Sequence, residues 1–182
     1  MNEVNRTLFI PLYGKASVSK QNVILKDPDA ERIWDAERFP VRGKSASKWL
    51  AYNMAMRARV FDDWTDRMLE ELPDALVLHV GCGLDSRSRR VTRPYRLWLD
   101  CDLPDVIAVR RKYFAETDRY RMQVLDACDP DQVRHRRCRS ASERSEHPLR
   151  SGTFLYAGGS RERTEARGTG GLPAAVYRTR LR

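Results

Sequence analysis

The stretch "VLHVGCGLDSR", residues 77–87, decides the fold. It continues a short apolar run that starts at Ala75, "ALVLHV", bounded by Pro73 on one side and by Gly81 and Gly83 on the other. That length and those boundaries predict a buried strand. Glycine directly after a strand lets the backbone turn sharply and lets a ligand approach where a Cβ would collide. In open α/β sheets, ligands sit outside the carboxyl ends of the strands, so Gly81 and Gly83 are expected to floor a site.

Toward the C-terminus, "YRLWLDCD" (95–102) predicts a second strand, with Leu97, Leu99 and Cys101 facing one way and Trp98, Asp100 and Asp102 the other. A polar helix is expected between the strands from about Ser86 to Val91. "LPDVIAVRRKYFAE" predicts a helix with Pro104 in its first turn, and "RYRMQVLDACDP" a third strand ending at Asp126. Strand, helix, strand, helix, strand at this spacing indicates a Rossmann-like α/β fold with a parallel sheet. Asp102 lies 21 residues after Gly81, at the end of the second strand, where an acid accepts hydrogen bonds from ribose hydroxyls; Asp100 shares its face. Ser86 stands where a dinucleotide fingerprint has its third glycine, and no GxxxxGK[ST] occurs, so a cofactor without phosphates fits best. Asp126 is placed either to bind an adenine amino group or to cap a turn.

Toward the N-terminus, the proline and glycine of "LFIPLYGKA" predict a bend within residues 8–23. A helix is expected in "KDPDAERIWDAERF", capped by Asp27 or Asp29 with Pro28 in the first turn. The strongest helix runs from about Ser45 to Leu72, with Trp49, Met56, Val60, Trp64 and Leu69 at roughly helical spacing and Pro73 at its end. These features divide the chain into N-terminal helices (1–73), a cofactor-binding core (74–133) and an Arg-rich tail (134–182).

The net charge of +9 would ordinarily point to nucleic acid or an anionic surface. It is not evenly spread: residues 134–182 hold 12 Arg against 4 Glu, with no Lys and no Asp, while the preceding 133 residues are almost neutral. The four cysteines form no CxxC pair and the three histidines do not complete a metal-ligand spacing, so no metal is expected and the thiols are read as reduced, in a cytoplasmic protein. "LFIPLY" is too short for a signal sequence or a membrane span.

The segments "LFIPLYGKA", "ILKDPDAERI", "MRARVFDDW", "LHVGCGLDSR", "WLDCDLPDVIAVRRKYF" and "VLDACDP", in this order, resemble the bacterial branch of the leucine carboxyl methyltransferase family, which includes tetracenomycin-type polyketide O-methyltransferases. The resemblance covers about residues 7–133. It implies a class I S-adenosylmethionine-dependent methyltransferase fold, with N-terminal cap helices that shape an acceptor pocket. It also implies methyl transfer to a carboxylate or hydroxyl oxygen of a small molecule. Arg57 matches the arginine that meets the methionine carboxylate of the cofactor, with Arg59 as fallback, and Lys15 matches a basic position near the same carboxylate. Gly81 matches a position against the cofactor, Asp102 the ribose-binding acid with Asp100 beside it, and Asp126 and Ala127 the pair that borders the adenine. The acceptor is not identified.

The pattern departs from the family after about residue 133. "RSGTFLYAGG" (150–159) keeps the "GTFLY" of a fourth strand but carries Ser151 where the family has a glutamate. Three readings of the tail stand side by side: a basic nucleic-acid-binding arm, a solvated charge run, or the product of a shifted reading frame, which we favour. Only the N-terminal portion of the fold is then present. The first strand is expected to keep an unpaired edge, and the chain to fold marginally and bind S-adenosylmethionine weakly or not at all. The rival from another class is a non-enzymatic basic interaction protein acting through the tail.

Overall fold

In the computed structural model, residues 3–37, 40, 43–129, 153–156 and 176–178 are described. They fall into two compact units that do not follow chain order: residues 1–68 with 83–93, and residues 69–82 with 94–182.

The first unit is helical. Helix α1 spans Glu3–Lys20, α2 Pro28–Glu37, α3 Lys48–Glu71 and the short α4 Arg87–Arg90; a single 3₁₀ turn covers Gly43–Ala46. The bend expected in residues 8–23 does not fall at Pro11 and Gly14, where α1 continues unbroken; the chain turns only after Lys20. Pro11 is exposed and removes one intrahelical hydrogen bond, a local cost that packing offsets. Gly14 makes that packing possible: a Cβ there would lie 2.9 Å from Cβ of Met54 and 3.2 Å from Cα of Ala51, both on α3. Small side chains continue the seam, with Ala51, Ala55 and Ala58 of α3 buried together with Val18 and Leu25.

The start of α2 follows the sequence reading. Asp27 is its cap, its Oδ1 accepting the Ala30 amide at 2.9 Å, with Pro28 as first helical residue. The Ser47 hydroxyl likewise accepts the Leu50 amide at 3.2 Å and caps α3, which stops two residues before Pro73. The apolar face read for α3 is corrected. Leu69 is buried, but Trp49, Met56 and Val60 are exposed (74%, 46% and 63%) and Trp64 is half-buried. The buried stripe is the alanine one on the opposite side, since close approach to α1 requires small residues there.

The second unit carries the sheet: β1 Leu76–Val80, β2 Leu97–Asp102, β3 Tyr120–Val124, β4 Thr153–Tyr156 and β5 Val176–Arg178, with helix α5 Pro104–Arg110 between β2 and β3. Strand order is β3-β2-β1-β4-β5. The first four strands are parallel; Leu76 stands opposite Leu97 and Phe154, and Trp98 opposite Tyr120. β5 is antiparallel to β4. The unpaired edge expected for β1 is therefore not found: β2 lies on one side and β4 on the other. The rest of residues 134–182 falls outside the described residues.

Strand β2 also departs from a simple two-faced pattern. Trp98, Leu99, Asp100 and Cys101 are all buried, as befits a parallel strand covered on both faces. Val80, Leu99, Cys101 and Leu125 form one core cluster. At the outer edge, the Leu125 amide bonds the Asp102 carbonyl, so by alternation the Met122 amide points away from β2; it donates to Glu116 Oε1 at 2.6 Å. The Tyr120 amide, also outward, bonds the Thr117 carbonyl.

Candidate functional site

Three strand ends in the second unit carry most of the candidate residues. Gly81 leaves β1 with φ +67°, a left-handed conformation that disfavours any side chain with a Cβ. Its amide donates to the Cys101 carbonyl at 2.8 Å, and the Cys82 amide donates to the same oxygen at 3.2 Å, which ties the end of β1 to β2. A Cβ added at Gly81 would meet no atom of the described residues within 4 Å, so among them the turn is open rather than packed. Cys82 is buried in this turn, and burial, countered only in part by the Arg110 charge, pushes its thiol well above the usual range. It is a packing residue and not a nucleophile.

Asp102, the last residue of β2, is half-buried; its Oδ1 accepts the Leu103 amide at 2.8 Å. Asp126 follows β3, its Oδ1 accepting the Cys128 amide at 2.9 Å, with exposed Ala127 between them. Gly81, Asp102, Asp126 and Ala127 are thus brought to the carboxyl ends of three adjacent parallel strands.

Asp100 is placed elsewhere. It is fully buried, and both carboxylate oxygens are engaged. Oδ1 faces His79 Nδ1 at 2.7 Å and accepts the Trp98 indole N–H at 2.9 Å; Oδ2 accepts the Tyr120 hydroxyl at 2.7 Å and pairs with Arg110 Nη2. Burial alone would raise the Asp100 pKa, but the Arg110 charge and the His79 and Tyr120 bonds overturn this and hold it at about 2. With the carboxylate ionised, His79 Nδ1 is the donor in its bond. Burial and the Asp100 charge together push the Tyr120 phenol up, while Asp100 raises Arg110 against the opposing effect of burial.

The remaining candidates lie in the first unit. Lys15 is buried and bonds Asp85 Oδ1 at 2.8 Å; burial lowers its pKa, and Asp85 opposes that. Asp85 also pairs with Arg87 and Arg90, and Arg90 reaches Asp27 and Asp62 at 2.6 Å each. Ser86, at the third-glycine position, donates to Asp27 Oδ1 at 2.6 Å. Lys15 therefore belongs to a network of three cations and three carboxylates. Arg57 is exposed and has no ion pair among the described residues, whereas Arg59 pairs with Asp63 at 3.0 Å. Gly83 has φ +52° and sits against Leu8.

A cleft of about 890 Å³ in the same unit is walled by Asp27, Asp62, Asp66, Arg89 and Arg90 among others, and of the candidate cofactor residues it includes Arg59, the fallback for Arg57. Among the described residues no group of three or more His, Cys, Asp or Glu is arranged to hold a metal ion, and no helix is long and apolar enough to cross a membrane.

Sequence reasoning missed His79, Arg110 and Tyr120, and with them the buried role of Asp100. The one available signal was the pairing of an acid on a covered strand with an arginine on the next helix.

A sequence profile of leucine carboxyl methyltransferases matches residues 11–137. The chain belongs to the leucine carboxyl methyltransferase family. Membership fits the class I methyltransferase-type α/β fold, with parallel strands in the order β3-β2-β1. Two relatives agree with the family assignment. The tetracenomycin polyketide synthesis O-methyltransferase TcmP of Streptomyces glaucescens is 38% identical over 126 residues, which is 65% of this chain and 45% of that protein. The S-adenosyl-L-methionine-dependent methyltransferase dpfgK of Gibberella zeae is 33% identical over 123 residues, 60% of this chain and 41% of that protein. The chain spans less than half the length of these family members, and the profile ends before β4 and β5.

Proposed function

We propose that this chain carries the cofactor-binding portion of an S-adenosylmethionine-dependent O-methyltransferase that acts on a small molecule. The observation that carries the proposal is the left-handed, open turn at Gly81, flanked at the next strand end by the half-buried carboxylate of Asp102. The names of both relatives support it. When bound, the cofactor supplies a methyl group already activated on a sulfonium.

The residues of the chain bind and orient. Asp102 accepts hydrogen bonds from ribose hydroxyls, Gly81 admits the cofactor where a side chain would block it, and Asp126 and Ala127 border the adenine. In the first unit the side chain suited to a carboxylate is Arg57, because its guanidinium has no internal partner among the described residues, while Arg59 is committed to Asp63. Lys15 is held by Asp85 and Asp100 by Arg110, so neither is assigned a direct contact. No side chain is assigned as acid or base, since placing the acceptor oxygen in line with the methyl group and excluding water supplies most of the acceleration. Free thiols at Cys82, Cys101 and Cys128 support a reducing, cytoplasmic setting.

Calorimetric titration with S-adenosylmethionine tests the reading. Binding is expected in the unaltered chain and about tenfold weaker binding in Asp102→Ala, the loss of one charge-assisted hydrogen bond. Identical titrations from both folded proteins would sink the ribose assignment.

A further inference from the structure

We infer that Asp100 and Arg110 form a clamp that positions Asp102, an inference that rests on reading Asp102 as the ribose acceptor. Asp100 precedes Asp102 by two residues and Arg110 follows it by eight, so the ion pair joins residues ten positions apart and encloses Asp102, the turn at Leu103 and helix α5, whose last residue is Arg110. Both ends of that segment are buried with no measurable exposure. A turn held at both ends by a buried ion pair has little freedom to move its carboxylate away from the strand end.

The clamp also reaches every strand that presents a candidate residue. His79 ties it to β1, Trp98 to β2 itself and Tyr120 to β3, whose hydroxyl accepts from Arg110 Nε at 3.1 Å while donating to Asp100. The Arg110 guanidinium lies over the Phe114 ring, 4.2 Å from its centroid, which fixes its plane. Asp102 shares the strand face of Asp100 by alternation, and the Asp102 backbone is tied to β3 through the Leu125 amide at 2.9 Å. Asp100 therefore acts through Asp102 rather than on the cofactor, and Arg110, His79 and Tyr120 act through Asp100.

The test compares the unaltered chain with Arg110→Met and with the double variant Asp100→Asn, Arg110→Met, which leaves no unpaired buried charge if the single variant fails to fold. One readout needs no ligand: amide hydrogen exchange at Leu103 and Leu125, with Val77 in β1 as reference. The second is the preference for adenosine over 2′,3′-dideoxyadenosine in an NMR titration. Opening the clamp is expected to speed exchange at Leu103 and Leu125 about tenfold or more with Val77 unchanged, and to reduce the preference to that of Asp102→Ala. Arg110→Lys, which keeps the charge, is expected to restore part of both. Unchanged exchange and preference in a folded variant would overturn the clamp, as would a uniform rise that includes Val77. Local exchange changes in a chain that shows no ribose preference would support the clamp and overturn the role given to Asp102.

Discussion

Each unit buries a cluster of charges, and the two are built differently. In the first, three cations, Lys15, Arg87 and Arg90, face three carboxylates, Asp27, Asp62 and Asp85, drawn from α1, the cap of α2, the middle of α3, both ends of α4 and the loop after Gly83. In the second, one ion pair, Asp100 with Arg110, is completed by the neutral donors of Trp98 and Tyr120 and by His79. The first is less fully satisfied: Arg87 Nη1 is buried without a hydrogen-bond partner among the described residues, and burial pushes the Asp62 pKa up despite two arginines beside it. The second leaves Asp100 strongly ionised. Many charges in one place do not make a better-compensated site; a single carboxylate with a donor for each lone pair does.

Breaking the helical cluster should have the largest effect. Arg90→Met strips Asp27, Asp62 and Asp85 of a shared cation, and a loss of about 3–5 kcal/mol is expected in urea unfolding. Next comes acid. Asp100 has its folded pKa depressed to about 2, so its contribution of about 2 kcal/mol is complete above its unfolded value near 4 and is lost as pH falls through 2. Stability measured from pH 5 to pH 2 should fall in the unaltered chain, and Asp100→Asn should remove that component of the slope. The smallest effect sharpens the contrast between buried and exposed pairs. Arg59→Ala breaks an i,i+4 bridge to Asp63 whose partners are each half or more exposed, and only about 0.3–0.5 kcal/mol should be lost.

The same contrast explains what could be read from the sequence. The strands were legible because "ALVLHV", "YRLWLDCD" and "RYRMQVLDACDP" each carry an apolar run with a clear stop, and the Asp27 cap because its chemistry is local. Helix α1 was not, since the packing that offsets Pro11 is made by Gly14 against Met54 and Ala51 of α3, far along the chain. The inner face of α3 was inverted because two opposite stripes share one period, and size favoured Trp49 over Ala51. Asp100 and Asp102 could not be told apart by alternation, which puts them on one face. Only burial and the reach of Arg110 separate the anchor from the strand-end acid.

The edge formed by β3 has a further consequence. The outward amides of Tyr120 and Met122 are already occupied, one by the Thr117 carbonyl and the other by the Glu116 carboxylate. A strand arriving from another molecule would have to displace both before it could template on this side, and would do so against a negative charge. Edge-to-edge pairing at this rim of the described sheet is thereby disfavoured by the chain's own return through Glu116 and Thr117.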